Sequence, residues 1–207
     1  LVEWHAEMAK TISSLDPHHH LVTTSMAVAT DHEDLEQGLV RNLDFVQRHS
    51  YHNIQKSSFK DQMSQKLYEV GEKMHAAHPT KPVFVGEYGF GSNVYKILVD
   101  DKDPYGIELH NTLWSSLFAG TAGPASFWWW LYLEKKQLFG RFRPVTTFCQ
   151  KLPLLSDTFV GKTTGVVEGM DLLFPNQLET YYLENAAQDT LLGWAQDVAF
   201  AYQSLRR

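Results

Sequence analysis

A glutamate at the end of an apolar run is the first candidate for chemistry. Residues 81–90 read KPVFVGEYGF, so Pro82 opens the run and Glu87 closes it just before Tyr88-Gly89. A proline can begin a strand but not occupy its middle, and such a run is typical of a strand buried on both faces. In a parallel α/β barrel, functional groups lie at the carboxyl ends of the strands. Glu87 is therefore a candidate nucleophile or base, and the alternative is a carboxylate that pairs with a nearby cation.

Other reactive groups have simpler explanations. Three adjacent histidines, residues 18–20, cannot all face one ion from a strand, so we predict no metal site and no cofactor. The acidic stretches 31–34 and 100–103 do not match the twelve-residue calcium loop, which favours solvated loops. Ser25 lacks the Gly-x-Ser-x-Gly turn of many serine hydrolases, and Cys149, the single cysteine, is expected in the core.

The bulk composition excludes two classes of partner. The net charge is −6, and basic residues cluster only at Arg206-Arg207, so nucleic-acid binding has no electrostatic basis. No apolar run approaches membrane-spanning length, and residues 127–131 (FWWWL) are predicted to be a strand rather than an anchor. The chain holds 6 Trp, 9 Tyr and 12 Phe, which suits a carbohydrate cleft or a large core.

Hydrophobic periodicity predicts alternating helices and strands through residue 151. Helices are predicted over 1–15, 57–77, 105–119 and 144–151, and strands begin near residues 21, 43, 82 and 125, the last covering 125–132. This alternation implies a parallel sheet with right-handed crossovers. A closed eight-stranded barrel needs about 250 residues, so residues 1–151 are interpreted as half of a barrel, with Phe45, Val83, Val85 and, as a further candidate, Trp128 facing inward.

The alternation of helices and strands stops after residue 151. Two strands, 178–184 and 190–196, flank the polar segment 185–189, which predicts a hairpin without a crossover helix. Residues 152–207 are therefore expected to be a β-rich extension, the start or a part of an appended domain.

Three motifs in order carry a family resemblance. They are His49-Ser50-Tyr51, Gly86-Glu87-Tyr88-Gly89 and Trp128-Trp129-Trp130. Over residues 1–151 this order resembles the C-terminal half, strands five to eight, of the clan A retaining glycoside hydrolases, especially the family 5 cellulases and mannanases. The resemblance implies a (β/α)8 TIM-type barrel that cleaves β-linked glucan or mannan chains by double displacement. It alone suggests a secreted or extracytoplasmic location.

The resemblance also implies roles for individual residues. Glu87 maps to the nucleophile, and His49 and Tyr51 map to the sixth-strand His and Tyr. Tyr51 can donate its phenolic proton to Glu87, which would keep the carboxylate ionised, and His49 can bond a sugar hydroxyl.

An eighth-strand tryptophan forms the floor of the subsite in the resembled family. Strand parity puts Trp128 and Trp130 on one face and Trp129 on the other. Trp128 and Trp130 are thus the candidates for stacking on a sugar, and Trp129 is expected to be packing.

The second carboxyl group of a retaining glycosidase is expected outside this chain. In the resembled family the acid/base Glu ends the fourth strand, upstream of Leu1. The expected partners are thus a β-linked oligo- or polysaccharide and an N-terminal half-barrel, supplied in cis or in trans. Two alternatives remain: a non-catalytic carbohydrate-binding barrel, or an enzyme fragment that is inactive on its own.

Overall fold

The chain folds into a mixed α/β structure with two separate sheets. The computed structural model describes residues 1–25, 38–52, 63–90, 103, 105–152, 159–168, 177–187 and 189–197. The helices are α1 (Val2–Leu15), α2 (Met63–Ala77), α3 (Ile107–Phe118), α4 (Trp130–Lys135) and α5 (Phe142–Gln150), with a 3-10 turn at Leu138–Arg141. The strands are β1 (Val46–His52), β2 (Val83–Phe90), β3 (Phe159–Glu168), β4 (Gln177–Asn185) and β5 (Leu191–Asp197). Within the described ranges, β1 and β2 pair in parallel, and β3, β4 and β5 form an antiparallel sheet in that order.

The two central predicted strands are confirmed, and a further segment of chain hydrogen-bonds beside each of them. Beside β1, the N–H of Asp44 donates to the carbonyl of Val22 at 2.8 Å. Beside β2, the N–H of Ser126 donates to the carbonyl of Val85 at 3.0 Å. The predicted strand near residue 21 is wrong as a strand, because these residues make isolated contacts and no ladder.

The strand predicted over 125–132 is also wrong for most of its length. Only a single parallel bridge joins Phe127 to Tyr88, and helix α4 begins at Trp130. The first turn of this helix begins directly after Trp129, since the N–H of Tyr132 donates to the carbonyl of Trp129 at 3.1 Å. A run of three tryptophans can occur in a helix or in a strand. The preference of aromatic residues for strands depends on context, and here Trp130 begins a helix.

The main core lies between the parallel strands and helices α2 and α3. The stripe predicted on α2 is confirmed, with Met63, Leu67 and Met74 buried against β1 and β2. From α3, Leu109, Leu113 and Leu117 complete this core, and Cys149 packs at its edge as expected. Helix α1 differs, because Ala9 is its one buried residue.

The antiparallel sheet packs on the outer side of α2 and α3. The predicted hairpin is confirmed as β4 and β5, while β3 was not predicted. Tyr181 of β4 packs against Tyr68 with ring centroids 5.0 Å apart. Gly161 of β3 faces the end of α3 so closely that a Cβ there would lie 2.8 Å from the Ala119 carbonyl carbon. Gln196 adds a polar contact, donating to Ser64 Oγ at 2.9 Å.

Candidate active site

An irregularity in β2 decides which way Glu87 faces. Val85 pairs with Arg48, but the next pair is Glu87 with His49, so Gly86 is an extra residue in β2. A bulge of this kind reverses the alternation of side chains and re-aims the residues beyond it. Val83, Val85 and Tyr88 are therefore all buried in the main core against the helices, while Glu87 shares the opposite face with His49.

This bulge corrects the prediction that Val83 and Val85 face the barrel interior. Simple alternation would have put Glu87 on the same face as these two valines. The extra residue must be small, because the side chain of Gln47 occupies the space where a Cβ of Gly86 would lie.

Three predicted site residues come together at the carboxyl ends of β1 and β2. Tyr51 donates its phenolic hydrogen to Glu87 Oε1. His49 Nδ1 lies 3.5 Å from Glu87 Oε2, and the two side chains are only 11% and 18% exposed. Each carboxylate oxygen of Glu87 thus faces a different ring, and the carboxylate keeps an opening to solvent.

The phenol of Tyr51 is held in its proton-bearing form. Partial burial raises the pKa of Tyr51 well above its ordinary value, and the hydrogen bond to Glu87 and the charge of Glu87 raise it further. Tyr51 is therefore a donor at any physiological pH. A carboxylate that accepts such a bond is stabilised in its ionised form, as a nucleophile requires.

Ser25 joins this group, although the sequence pattern did not assign it a role there. Its Oγ lies 2.5 Å from His49 Nε2, across a separation of 24 residues. Both ring nitrogens of His49 are thereby engaged, one by Ser25 and the other by Glu87. Together, Ser25, His49, Tyr51 and Glu87 form the Glu87 site.

The indole of Trp129, which parity had assigned to packing, lies beside the Glu87 site. A Cβ on Gly89 would lie 2.8 Å from Trp129 Nε1 and 3.5 Å from Tyr51 Cε1. The indole therefore crosses the backbone of Gly89 beside the ring of Tyr51. Trp129 is half-buried and also packs against the main core.

Trp128 and Trp130, the two predicted stacking residues, lie on the surface. Their exposed fractions are 45% and 56%, and the contacts that join the Glu87 site do not include them. Trp130 is the first residue of α4, so the strand parity that paired it with Trp128 does not apply.

A second acidic group is buried at the start of α3. Asp103 and Glu108 are 2% and 5% exposed, which corrects the prediction of a solvated loop for Asp103. The carboxylate of Asp103 accepts the N–H groups of Ile107 and Glu108 at 2.7 and 2.9 Å and so caps the helix. Gly106, with φ +67, supplies the left-handed turn between them.

Burial sets the protonation of this acidic pair. Burial raises the pKa of Glu108 to about 8, and the nearby charge of Asp103 adds to the shift. One oxygen of Glu108 is buried with no hydrogen-bond partner among the described residues. Burial also raises the pKa of Asp103, although its two N–H donors and the Arg141 guanidinium act in the opposite direction.

The described ranges bear on two further features, metal ligation and membrane spanning. They contain no group of three or more His, Cys, Asp or Glu side chains placed to hold an ion. At residues 18–20, His20 instead bonds Asp16 at 2.9 Å. No described helix has the length and apolar character needed to cross a bilayer. The acidic stretch 31–34 and residues 100–102 lie outside the described residues.

Glycoside hydrolases work with two carboxyl groups, and a strand-end carboxylate that accepts a hydrogen bond from a phenol suits one of the two. Residues 2–141 match the family profile "Apiosidase-like, catalytic domain", and the chain belongs to that family. Comparison with curated proteins and with solved structures gives no match. The predicted glycoside hydrolase class is thereby supported, and the narrower assignment to family 5 remains a prediction.

Proposed function

We propose that this chain carries the nucleophile of a retaining glycoside hydrolase, and that Glu87 is that nucleophile. The observation that carries the proposal is the half-buried Glu87 carboxylate at the end of β2, with Tyr51 donating to one oxygen and His49 beside the other. The family membership supports the class of reaction independently of this geometry.

The proposed reaction is a double displacement. Glu87 attacks the anomeric carbon while a second carboxyl group protonates the departing oxygen, which gives a covalent glycosyl-enzyme. Water, deprotonated by that same second group, then cleaves the ester to Glu87. Tyr51 stabilises the ionised carboxylate before the attack and again when it is released.

Aromatic side chains are proposed to hold the sugar. Indole faces pack well against the apolar face of a sugar ring. Trp128 and Trp130 remain candidates because they are exposed. Trp129 joins them, since its indole lies beside Tyr51 over Gly89.

The second carboxyl group is proposed to come from a preceding half-barrel. Two observations support strands five to eight for residues 1–151: β1 and β2 are parallel neighbours, and a further segment of chain hydrogen-bonds beside each of them. The apolar residues of α1 support a covering segment. Leu1, Trp4, Ile12 and Leu15 are 70%, 59%, 49% and 77% exposed, and a contiguous apolar face of this kind usually meets a partner. Residues 152–207 would then be a β-rich extension of the barrel.

The substrate is proposed to be a β-linked glycan. Glucan and mannan follow from the family 5 resemblance, and the family name adds an apiosyl linkage as the bond to test first. We expect residues 1–207 alone to be inactive and to associate in solution. A stable monomer of this segment that cleaves any of these glycans with retention would contradict the half-barrel proposal.

A covalent trap tests the role of Glu87 directly. A fluorinated mechanism-based glycoside, incubated with the enzyme including its upstream segment, should label the peptide that contains Glu87. Peptide mass spectrometry locates the label, and NMR of the released sugar should show a retained anomeric configuration. Labelling of another carboxylate would refute the assignment. Sugar binding without any turnover would favour the non-catalytic alternative.

A further inference from the structure

Among the described residues, the closer of the two polar contacts to His49 comes from Ser25 and not from Glu87. The Ser25 Oγ to His49 Nε2 distance is 2.5 Å, within hydrogen-bond range, whereas His49 Nδ1 lies 3.5 Å from Glu87 Oε2. A contact of 3.5 Å between these atoms is electrostatic and does not by itself fix the rotation of the imidazole. Ser25 is therefore the group that anchors the ring.

The position of the carboxylate defines which ring nitrogen must carry hydrogen. A carboxylate accepts hydrogen bonds and donates none, so a neutral His49 faces Glu87 favourably only with hydrogen on Nδ1. Nε2 then has a lone pair and needs a donor. The serine hydroxyl supplies that donor, and it can rotate to become an acceptor when His49 is protonated.

We propose that Ser25 is a positioning residue that holds His49 in the Nδ1–H tautomer, with that N–H directed at the Glu87 carboxylate. The proposal rests on the proposed function, because it assigns Ser25 to the support of the nucleophile. Tyr51 donates to Oε1 of Glu87, and in the described structure the oriented imidazole is the group that faces Oε2.

Ser25 can be removed without disturbing the core. Its side chain is exposed, and its partner lies on a different part of the chain. Ser25→Ala removes the hydroxyl, Ser25→Thr keeps it, and Ser13→Ala on the exposed face of α1 is a matched control for loss of a surface serine.

Nitrogen NMR of the His49 ring tests the proposal without requiring catalysis. In ¹⁵N-labelled protein at alkaline pH, wild type and Ser25→Thr should show hydrogen on Nδ1 and a lone pair on Nε2. Ser25→Ala should show a mixture of the two tautomers, and Ser13→Ala should match wild type. An unchanged spectrum in Ser25→Ala would overturn the proposal. His49→Gln identifies the signals, and thermal unfolding confirms that each variant is folded.

Kinetics of the enzyme with its upstream segment supply the second measurement. Ser25→Ala should lower kcat roughly twofold to tenfold, the worth of one neutral hydrogen bond, and shift the pH profile of kcat/KM, and Ser25→Thr should restore both. If the covalent trap labels a carboxylate other than Glu87 but the tautomer still changes, the proposed function fails and the positioning of His49 by Ser25 stands. Covalent labelling of Ser25 by a fluorophosphonate would instead identify an activated nucleophile and would overturn the positioning role.

Discussion

Two carboxylates in this protein, Glu87 and Glu108, are both largely shielded from water, but different groups surround them. Glu87, at the end of β2, receives a hydrogen bond from Tyr51 and has an imidazole at 3.5 Å. Glu108, in the first turn of α3, is 5% exposed and has an oxygen without a partner in the described structure. Its neighbour Asp103 carries the same sign of charge.

The difference shows that a shifted pKa does not identify a site by itself. Burial raises the pKa of Glu108 to about 8, yet Glu108 is only 5% exposed at the start of α3. Glu87 combines partial exposure with donors that suit an ionised group. Perturbed groups mark functional sites only when geometry agrees, and here the geometry favours Glu87.

The largest effect should come from neutralising each carboxylate in turn. Glu87→Gln should reduce kcat by on the order of a thousandfold or more, because an amide cannot form the glycosyl-enzyme. Glu108→Gln should leave kcat within about a factor of a few, since Glu108 is assigned no contact with substrate. Turnover of an aryl glycoside by the enzyme with its upstream segment measures both. Near-normal activity of Glu87→Gln would contradict the comparison.

The next effect concerns stability against pH. The pKa of Glu108 rises from 4.5 to about 8 on folding, so between these pH values the unfolded chain releases a proton that the folded chain keeps. Stability from this group should therefore fall as pH rises through that window, by up to about 1.4 kcal/mol per pH unit, and level off above it. Burial also raises the pKa of Asp103, so Asp103 should add to this loss of stability, although the charge of Arg141 lowers that pKa and reduces the contribution. Burial raises the pKa of Tyr88, so its phenol stays neutral.

Urea unfolding of wild type and Glu108→Gln at several pH values tests this slope. The variant should be the more stable protein at pH 8, and its advantage should disappear near pH 4. Equal slopes for the two proteins would show that Glu108 is ionised in the fold.

Two tyrosines provide a smaller and more specific comparison. Tyr51→Phe removes a bond to a charged group, worth about 1.5–3 kcal/mol, and should lower kcat/KM roughly tenfold to a hundredfold. Tyr88→Phe removes a buried bond to Thr112 and should cost about 1 kcal/mol of stability with activity retained. Activity and thermal unfolding measured on both variants separate these outcomes. Equal losses of activity in the two variants would show that Tyr88 also supports catalysis and would contradict this prediction.

The last comparison concerns Gly89. An alanine Cβ there would lie 2.8 Å from Trp129 Nε1, so the indole must shift, at a cost of about 1–3 kcal/mol. We expect sugar binding by Gly89→Ala to weaken along with stability. Gly140→Ala is the control, because no atom lies within 4 Å of its added Cβ. Titration with an oligosaccharide, followed by tryptophan fluorescence, reports the difference, and unchanged binding would remove Trp129 from the proposed subsite.

Local patterns in the sequence were enough to predict most of the regular elements. The spacing of Met63, Leu67 and Met74 marks one face of a helix, and the apolar run before Glu87 marks a buried strand. The family resemblance, carried by the order of the strand-end motifs, implied that His49, Tyr51 and Glu87 would meet, which fits parallel neighbours that bring their carboxyl ends to one edge. The helix and strand predictions depend on periodicity alone, whereas the grouping of the three site residues was implied by the resemblance.

Tertiary structure decided which way the side chains of the site face and which residues they contact. The extra residue at Gly86 reverses the face on which Glu87 lies, and alternation within one strand cannot reveal a bulge that depends on pairing with β1. The contact of Ser25 with His49 spans 24 residues, and the approach of Trp129 to Gly89 depends on where α4 begins. Asp103 is buried because it caps a helix that lies against the core. Each of these depends on how separate elements pack or pair, which no local pattern encodes.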